Sequence, residues 1–158
     1  MLRNLFAVCL YMLITFGCQA QNGISQKNAD STTVVKQLNE FIHAFEDLDF
    51  DRFQTFFAND VTVFFPPSAM APHRVQGKEK AMAVFKTFFQ KVKEKKSHAP
   101  YLDITPKKLQ IAFFQEIAIV TFELDDPDSI GRRTIILRKT KGEYLIVHLH
   151  ASNIDKPK

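Results

Sequence analysis

Two histidines stand at i and i+2 near the end of the chain, in Ile146-Val147-His148-Leu149-His150-Ala151-Ser152. Imidazole titrates near neutral pH, so either ring is a candidate general acid or base, and two on one strand face supply half of a metal site. They are equally suited to be strand residues hydrogen-bonded at a rim or an interface. A catalytic metal needs a third ligand, for which His43, His73, His98, Asp60 and Glu123 are the candidates. No local spacing ties any of them to the last strand, and no metal or other cofactor is assigned.

Asp60 directly precedes the β-branched run Val61-Thr62-Val63. That place suits a carboxylate that bonds nearby backbone amides; assisting His148 or His150 in catalysis is the other reading. His73 and Arg74 follow Pro66-Pro67 in a loop, where they either stay solvated or close over a pocket mouth, the guanidinium meeting an anionic group. Lys91, Lys93, Lys95 and Lys96 end a helix, where the dipole favours cations; a wet helix end and a contact with an anionic surface both fit.

The elements that must position these side chains follow from periodicity. Val34, Leu38, Phe41, Ile42, Phe45 and Leu48 recur at helical spacing, with Ser31 or Thr32 available as a cap. A short helix after Asp49 carries Phe50, Phe53, Phe56 and Phe57 into the core. Val61–Phe65 reads as a strand stopped by Pro66-Pro67, which cannot extend a ladder. After a loop at 68–76, Gly77 opens a third helix with Ala81, Val84, Phe85, Phe88, Phe89 and Val92 on one face. Period two then takes over in 101–114, 117–125, 131–140 and 143–152, four strands joined by short turns. Helices first and an antiparallel meander last make an α+β domain. On the last strand, alternation puts Leu145, Val147, Leu149 and Ala151 toward the helices and Tyr144, Ile146, His148 and His150 away from them; a bulge would turn one histidine inward.

The N-terminal segment is of a different kind. MLRNLFAVCLYMLITFGCQA has one cation, Arg3, an apolar run from Leu5 to Phe16 too short to span a bilayer, and small residues at Cys18 and Ala20. It reads as a bacterial export signal over 1–20, sending the protein to the periplasm or the medium. Gly17-Cys18 also suits a lipoprotein anchored at Cys18, the one route to a membrane. Residues 21–32 read as a disordered tether, 33–153 as the domain and 154–158 as a tail. Both cysteines lie in the leader, so the mature domain has no disulfide and no thiolate. Loss of Arg3 takes one charge from the formal +4, too mild and dispersed a balance for nucleic-acid binding.

Phenylalanine dominates the rest: the chain has sixteen, with no tryptophan, and all but Phe6 and Phe16 follow the leader. Most must fill a core. Any cavity left between them has Phe41, Phe45, Phe64 or Phe65, Phe85 and Phe89 for walls, a lining suited to an apolar or aromatic small molecule and not to a phosphate or sugar.

The element order, together with Phe57-Ala58-Asn59-Asp60-Val61-Thr62-Val63, Val75-Gln76-Gly77-Lys78-Glu79 and Tyr144–Ser152, resembles the nuclear-transport-factor-like superfamily, nearest its SnoaL-like and ketosteroid-isomerase-like domains. The resemblance covers roughly 33–153. It implies a cone-shaped, curved antiparallel sheet wrapped around three N-terminal helices, a cystatin-like roll, often dimeric through the sheet. It also sets Phe65 against the isomerases' proton-shuttling carboxylate and Phe41 against their hydrogen-bonding tyrosine. Neither ring moves a proton or donates a hydrogen bond, so that chemistry is not expected. The expectation is an exported pocket domain that binds a small hydrophobic molecule and forms a homodimer through its sheet. Two alternatives stand beside it: a lyase, isomerase or hydrolase using His148 or His150 with Asp60 or Arg74, and a dimerisation module with a filled core.

Overall fold

The computed structural model describes residues 30–66 and 73–157. The leader expected over 1–20, most of the tether and both cysteines lie outside the described residues. The chain divides into two compact units, Met1–Lys36 and Gln37–Lys158. Among the described residues of the first, 30–36 are helical, so Ser31 and Thr32 sit inside a helix and do not cap it. The remaining description concerns the second unit.

Its first helix, α1, covers residues 37–46 of a helical stretch that the sequence marks by Leu38, Phe41, Ile42 and Phe45. Helix α2 spans Phe50–Thr55, where the Asp49 carboxylate accepts from the Arg52 amide and satisfies a donor the helix cannot. Helix α3 spans Lys78–Lys93 and buries Ala81, Met82, Phe85 and Phe89. Gly77, at φ 93°, is the residue before it; its backbone geometry is the left-handed one that favours glycine.

Six strands follow one another as β1 Phe57–Phe64, β2 Arg74–Gln76, β3 Lys107–Phe114, β4 Ile117–Asp125, β5 Ser129–Thr140 and β6 Glu143–Asp155. They form one curved open sheet in the order β2-β1-β6-β5-β4-β3. The meander β3 to β6 is antiparallel, as its short turns require, while β1 runs parallel to β6. A parallel neighbour needs a long crossover, which helix α3 and the meander supply between them. The loop expected at 68–76 gives up its last three residues to β2, which pairs Arg74, Val75 and Gln76 with Phe64, Val63 and Thr62. A three-residue edge strand is too short to leave a periodic trace in the sequence. β1 begins four residues before the expected Val61, and the expected strand over 101–114 becomes regular only at Lys107.

The core is aromatic. Phe53 is fully buried and holds ring centroids of Phe41, Phe45, Phe57, Phe85 and Phe89 between 4.9 and 5.3 Å away. Such offset and edge-on pairs add to what their area alone contributes. The sheet closes over this cluster with Val61, Val63, Ala118, Val120, Ile135, Leu137, Tyr144 and Ile146.

Candidate functional site

Strand β6 decides which residues share a compartment. Ile136 faces His148 across the β5–β6 ladder and Leu137 faces Ile146, so Val147 is an extra residue. This bulge resets the alternation. Before it, Tyr144 and Ile146 are buried in the core; after it, Leu149 and Ala151 are. The unbroken alternation read from the sequence therefore fails at Leu145, Val147, Tyr144 and Ile146 and holds at the four residues beyond. The bulge precedes both histidines, and so turns neither inward.

His148 and His150 lie on the outer face, where the Phe64 ring sits 5.6 Å from one imidazole and 5.7 Å from the other. Phe64 also meets His73 edge-on at 5.8 Å and lies under the Arg74 guanidinium at 5.9 Å. Strand pairing explains the grouping: Phe64 is in register with Arg74 on one side and His150 on the other. Burial, aided by the neighbouring His150, pushes the His148 imidazole below its ordinary value, favouring the neutral ring. Three sequence-derived placements change here. Phe64, one of two alternative pocket walls, lies on the opposite face; His73 and Arg74, read as either solvated or closing over a pocket mouth, pack on Phe64.

Asp60 is inside β1 and not ahead of it. Its carboxylate takes a two-pronged contact from Arg138 on β5, at 3.0 and 3.1 Å, with 62% of its side chain exposed. It thus bonds a guanidinium and not the backbone amides that its position suggested. The other candidate metal partners are dispersed: His43 pairs with Glu46 at 3.1 Å, Glu123 with Lys108 at 2.7 Å, and His98 contacts the Ala99 carbonyl. Among the described residues no three His, Cys, Asp or Glu side chains are grouped as metal ligands.

On the inner side the helices and sheet stand apart enough to leave a cavity of about 950 Å³. Helices α1 and α3 contribute Phe41, Ile42, Phe45, Val84, Phe85 and Phe88, the sheet contributes Phe122, Leu124, Ile135, Leu149 and Ala151, and Phe65 follows directly after β1. Of the expected walls, Phe41, Phe45, Phe65 and Phe85 are present. Phe89 is not: it is buried among Phe45, Phe50, Phe53 and Phe88. Phe88, one turn-position away, takes the wall instead. Phe41 and Phe65, which the resemblance sets against the isomerases' tyrosine and carboxylate, are rings against the cavity.

Most of the polar lining comes from strand ends and the segment before β3, with Thr87 and Lys91 on α3 besides. Tyr101, Asp103, Thr105 and Lys107 come from the segment before and into β3, Asp125 and Asp126 from the end of β4, and Arg133 and Asn153 from β5 and β6. Lys107 and Lys156 hold Asp125 at 2.9 and 2.6 Å, and these hydrogen bonds lower its carboxyl to about 2. Sequence reasoning passed over Arg133, yet the signal was present: it precedes Ile135 and Leu137 at period two, and both of those are buried. In the ladder it faces Phe122 on β4 and Ala151 on β6, both pocket residues. A cation on the apolar parity of a strand marks an interior polar site. Burial pulls the Arg133 guanidinium below its ordinary value, opposed by Asp126, although an arginine remains protonated throughout.

Solved structures share this architecture. An NTF2-like candidate dehydratase from Streptomyces avermitilis superposes with a TM-score of 0.66 at 15% identity, covering 81% of this chain and 98% of its own. An NTF2-like protein of unknown function from Pseudomonas putida gives 0.64 at 16%, covering 79% and 87%. The association domain of C. elegans CaMKII gives 0.59 at 16%, covering 80% and 98%. At such identities the likeness is one of fold. No curated protein matches the sequence. Residues 34–156 match the model of the SnoaL-like domain, and the chain belongs to that family.

Proposed function

We propose that the domain binds a small hydrophobic molecule in its inner cavity and performs no ketosteroid-isomerase chemistry. The observation that carries this is the cavity itself, about 950 Å³ walled by Phe41, Phe45, Phe65, Phe85 and Phe88. That volume falls in the range of small-molecule sites, and an aromatic wall pays little desolvation against an apolar guest. His148, His150 and Asp60, the residues proposed from sequence for acid/base work, do not line it. Titrating the protein with the neutral fluorophore N-phenyl-1-naphthylamine tests the reading: saturable binding at one site is expected, and a linear, unsaturated signal would overturn it.

The same proposal includes export, directed by the apolar leader at 5–16 with its small residues before position 21. It also includes a homodimer through the outer sheet face. The ladder aligns Thr62, His148, Ile136, Ile119 and Ala112 in one row across five strands, and Ile119 and Ile136 are half-buried within the single chain. Ile119, Ile136 and Ala112 give this row the apolar side chains that sheet faces bury against one another. Sedimentation should give twice the chain mass, and Ile136→Lys should return the monomer; a wild-type monomer at high concentration would refute this part.

A further inference from the structure

The geometry points to Arg133 as the anchor for an ionised carboxylate, so that the cavity takes an amphipathic monocarboxylic acid, its head at Arg133 and its apolar body against the phenylalanines. This rests on the pocket-binding reading and narrows its ligand class.

Three features support it. The first is that the guanidinium is fixed before any ligand arrives. Its Nη1 donates to the carbonyls of Arg132 and Ser152, each at 3.0 Å, and to Asn153 Oδ1 at 3.3 Å. The second is the floor beneath it. Gly131 is buried, and a Cβ there would stand 3.1 Å from both Nη1 and Nη2, tighter than nine in ten real contacts, so the guanidinium would have to give way. Glycine at 131 thus lets the planar group lie against the strand. The third is what is left over. All three hydrogen bonds use Nη1, so among the described residues Nη2 and Nε have no acceptor, and no carboxylate lies within ion-pair distance of Arg133. Asp125 is held by two lysines, and Asp126, the acid whose charge Arg133 feels, receives the Ser129 hydroxyl at 3.5 Å.

A guanidinium edge with two free, nearly parallel N–H groups matches the spacing of a carboxylate's oxygens, and such charge-assisted pairs strengthen where water is partly excluded. Because the side chain is already ordered by its own hydrogen bonds and by Gly131, a ligand need not bear that ordering cost. Two other cations line the cavity: Lys107 is engaged by Asp125, and Lys91 stands on α3, while the sheet's inward surface beside Arg133 is apolar with Phe122, Leu124, Ile135, Leu149 and Ala151. An anionic head at Arg133 with an apolar body along the phenylalanines matches this lining.

The test compares dodecanoate with 1-dodecanol by displacement of N-phenyl-1-naphthylamine from the full chain. Dodecanoate should bind about tenfold or more tightly than the alcohol, as one charge-assisted pair implies. Arg133→Gln should erase that preference while leaving dodecanol binding intact, and Gly131→Ala, which displaces the guanidinium and keeps its charge, should reduce it. Melting curves confirm that each variant is folded. Equal binding of acid and alcohol by the wild-type protein would overturn the assignment yet keep the pocket; failure of fluorophore, acid and alcohol alike would overturn both. The wild-type comparison needs no variant to fold.

Discussion

Strand β6 has two faces that differ in everything but their sequence neighbourhood. On the inner one, Leu149 and Ala151 alternate toward a phenylalanine-walled cavity. On the outer one, His148 and His150 alternate toward a single ring, Phe64, shared with His73 and Arg74. The two imidazoles and the volume able to hold a ligand are thus separated by the thickness of one sheet. The difference teaches that a histidine pair on the strand that closes a pocket need not serve that pocket. What the inner face does possess is a positioned cation, Arg133, and cations bind and orient where imidazoles transfer protons.

Substitutions on each face measure how far the two differ. The largest effect should come from Phe53→Ala, which empties the centre of the ring cluster and should cost about 3–5 kcal/mol. The matching Phe64→Ala on the outer face, where the ring is half-buried, should cost about 1–2 kcal/mol. Urea midpoints give both, and equal losses would mean that the outer cluster is as much core as the inner one. Next, Val84→Trp should fill the cavity from α3 and weaken fluorophore binding about tenfold, the equivalent of ~1.4 kcal/mol. The double variant His148→Ala with His150→Ala should leave that binding unchanged, and a loss would tie the outer face to the pocket.

Smaller again is Asp60→Asn. It removes the bond to Arg138 between two exposed groups, and should cost about 0.2–1 kcal/mol in chemical denaturation without touching ligand affinity. The smallest effect is a pH dependence. Because the folded state holds His148 below its ordinary value of 6.5, the unfolded chain takes up the proton first as pH falls through that value. Stability should therefore be lower at about pH 5.5 than at about pH 7.5, and His148→Gln should reduce the difference. The fold itself should persist.

Much of the fold was legible because its signals are long. Helical spacing in α1 and α3 and period two from β3 to β6 each run over several turns or pairs, enough to outweigh local ambiguity. The short elements were not. β2 has three residues, and the parallel pairing of β1 with β6 joins residues such as Val63 and Leu149 that no local pattern connects. The candidate site was legible in its walls and not in its polar lining. Phe41, Phe45, Phe65 and Phe85 follow from apolar faces, whereas Arg133 becomes a site residue only when Ser152, Asn153 and Gly131 fix its guanidinium. The choice between Phe64 and Phe65 stayed open for a plain reason: of two adjacent strand rings one must face each way, and local composition does not say which.

By itself, the amino-acid sequence determined the class of fold and the aromatic material of the core, since propensity, periodicity and side-chain chemistry are local properties. Tertiary structure alone decided which face each strand residue serves. One extra residue at Val147 shifts the ladder between Ile136 and Leu137, and that shift depends on pairing with a partner strand. Whether the phenylalanines fill their space or enclose a cavity was likewise settled by how far the helices stand from the sheet, a distance set by all the contacts together and encoded in no single stretch.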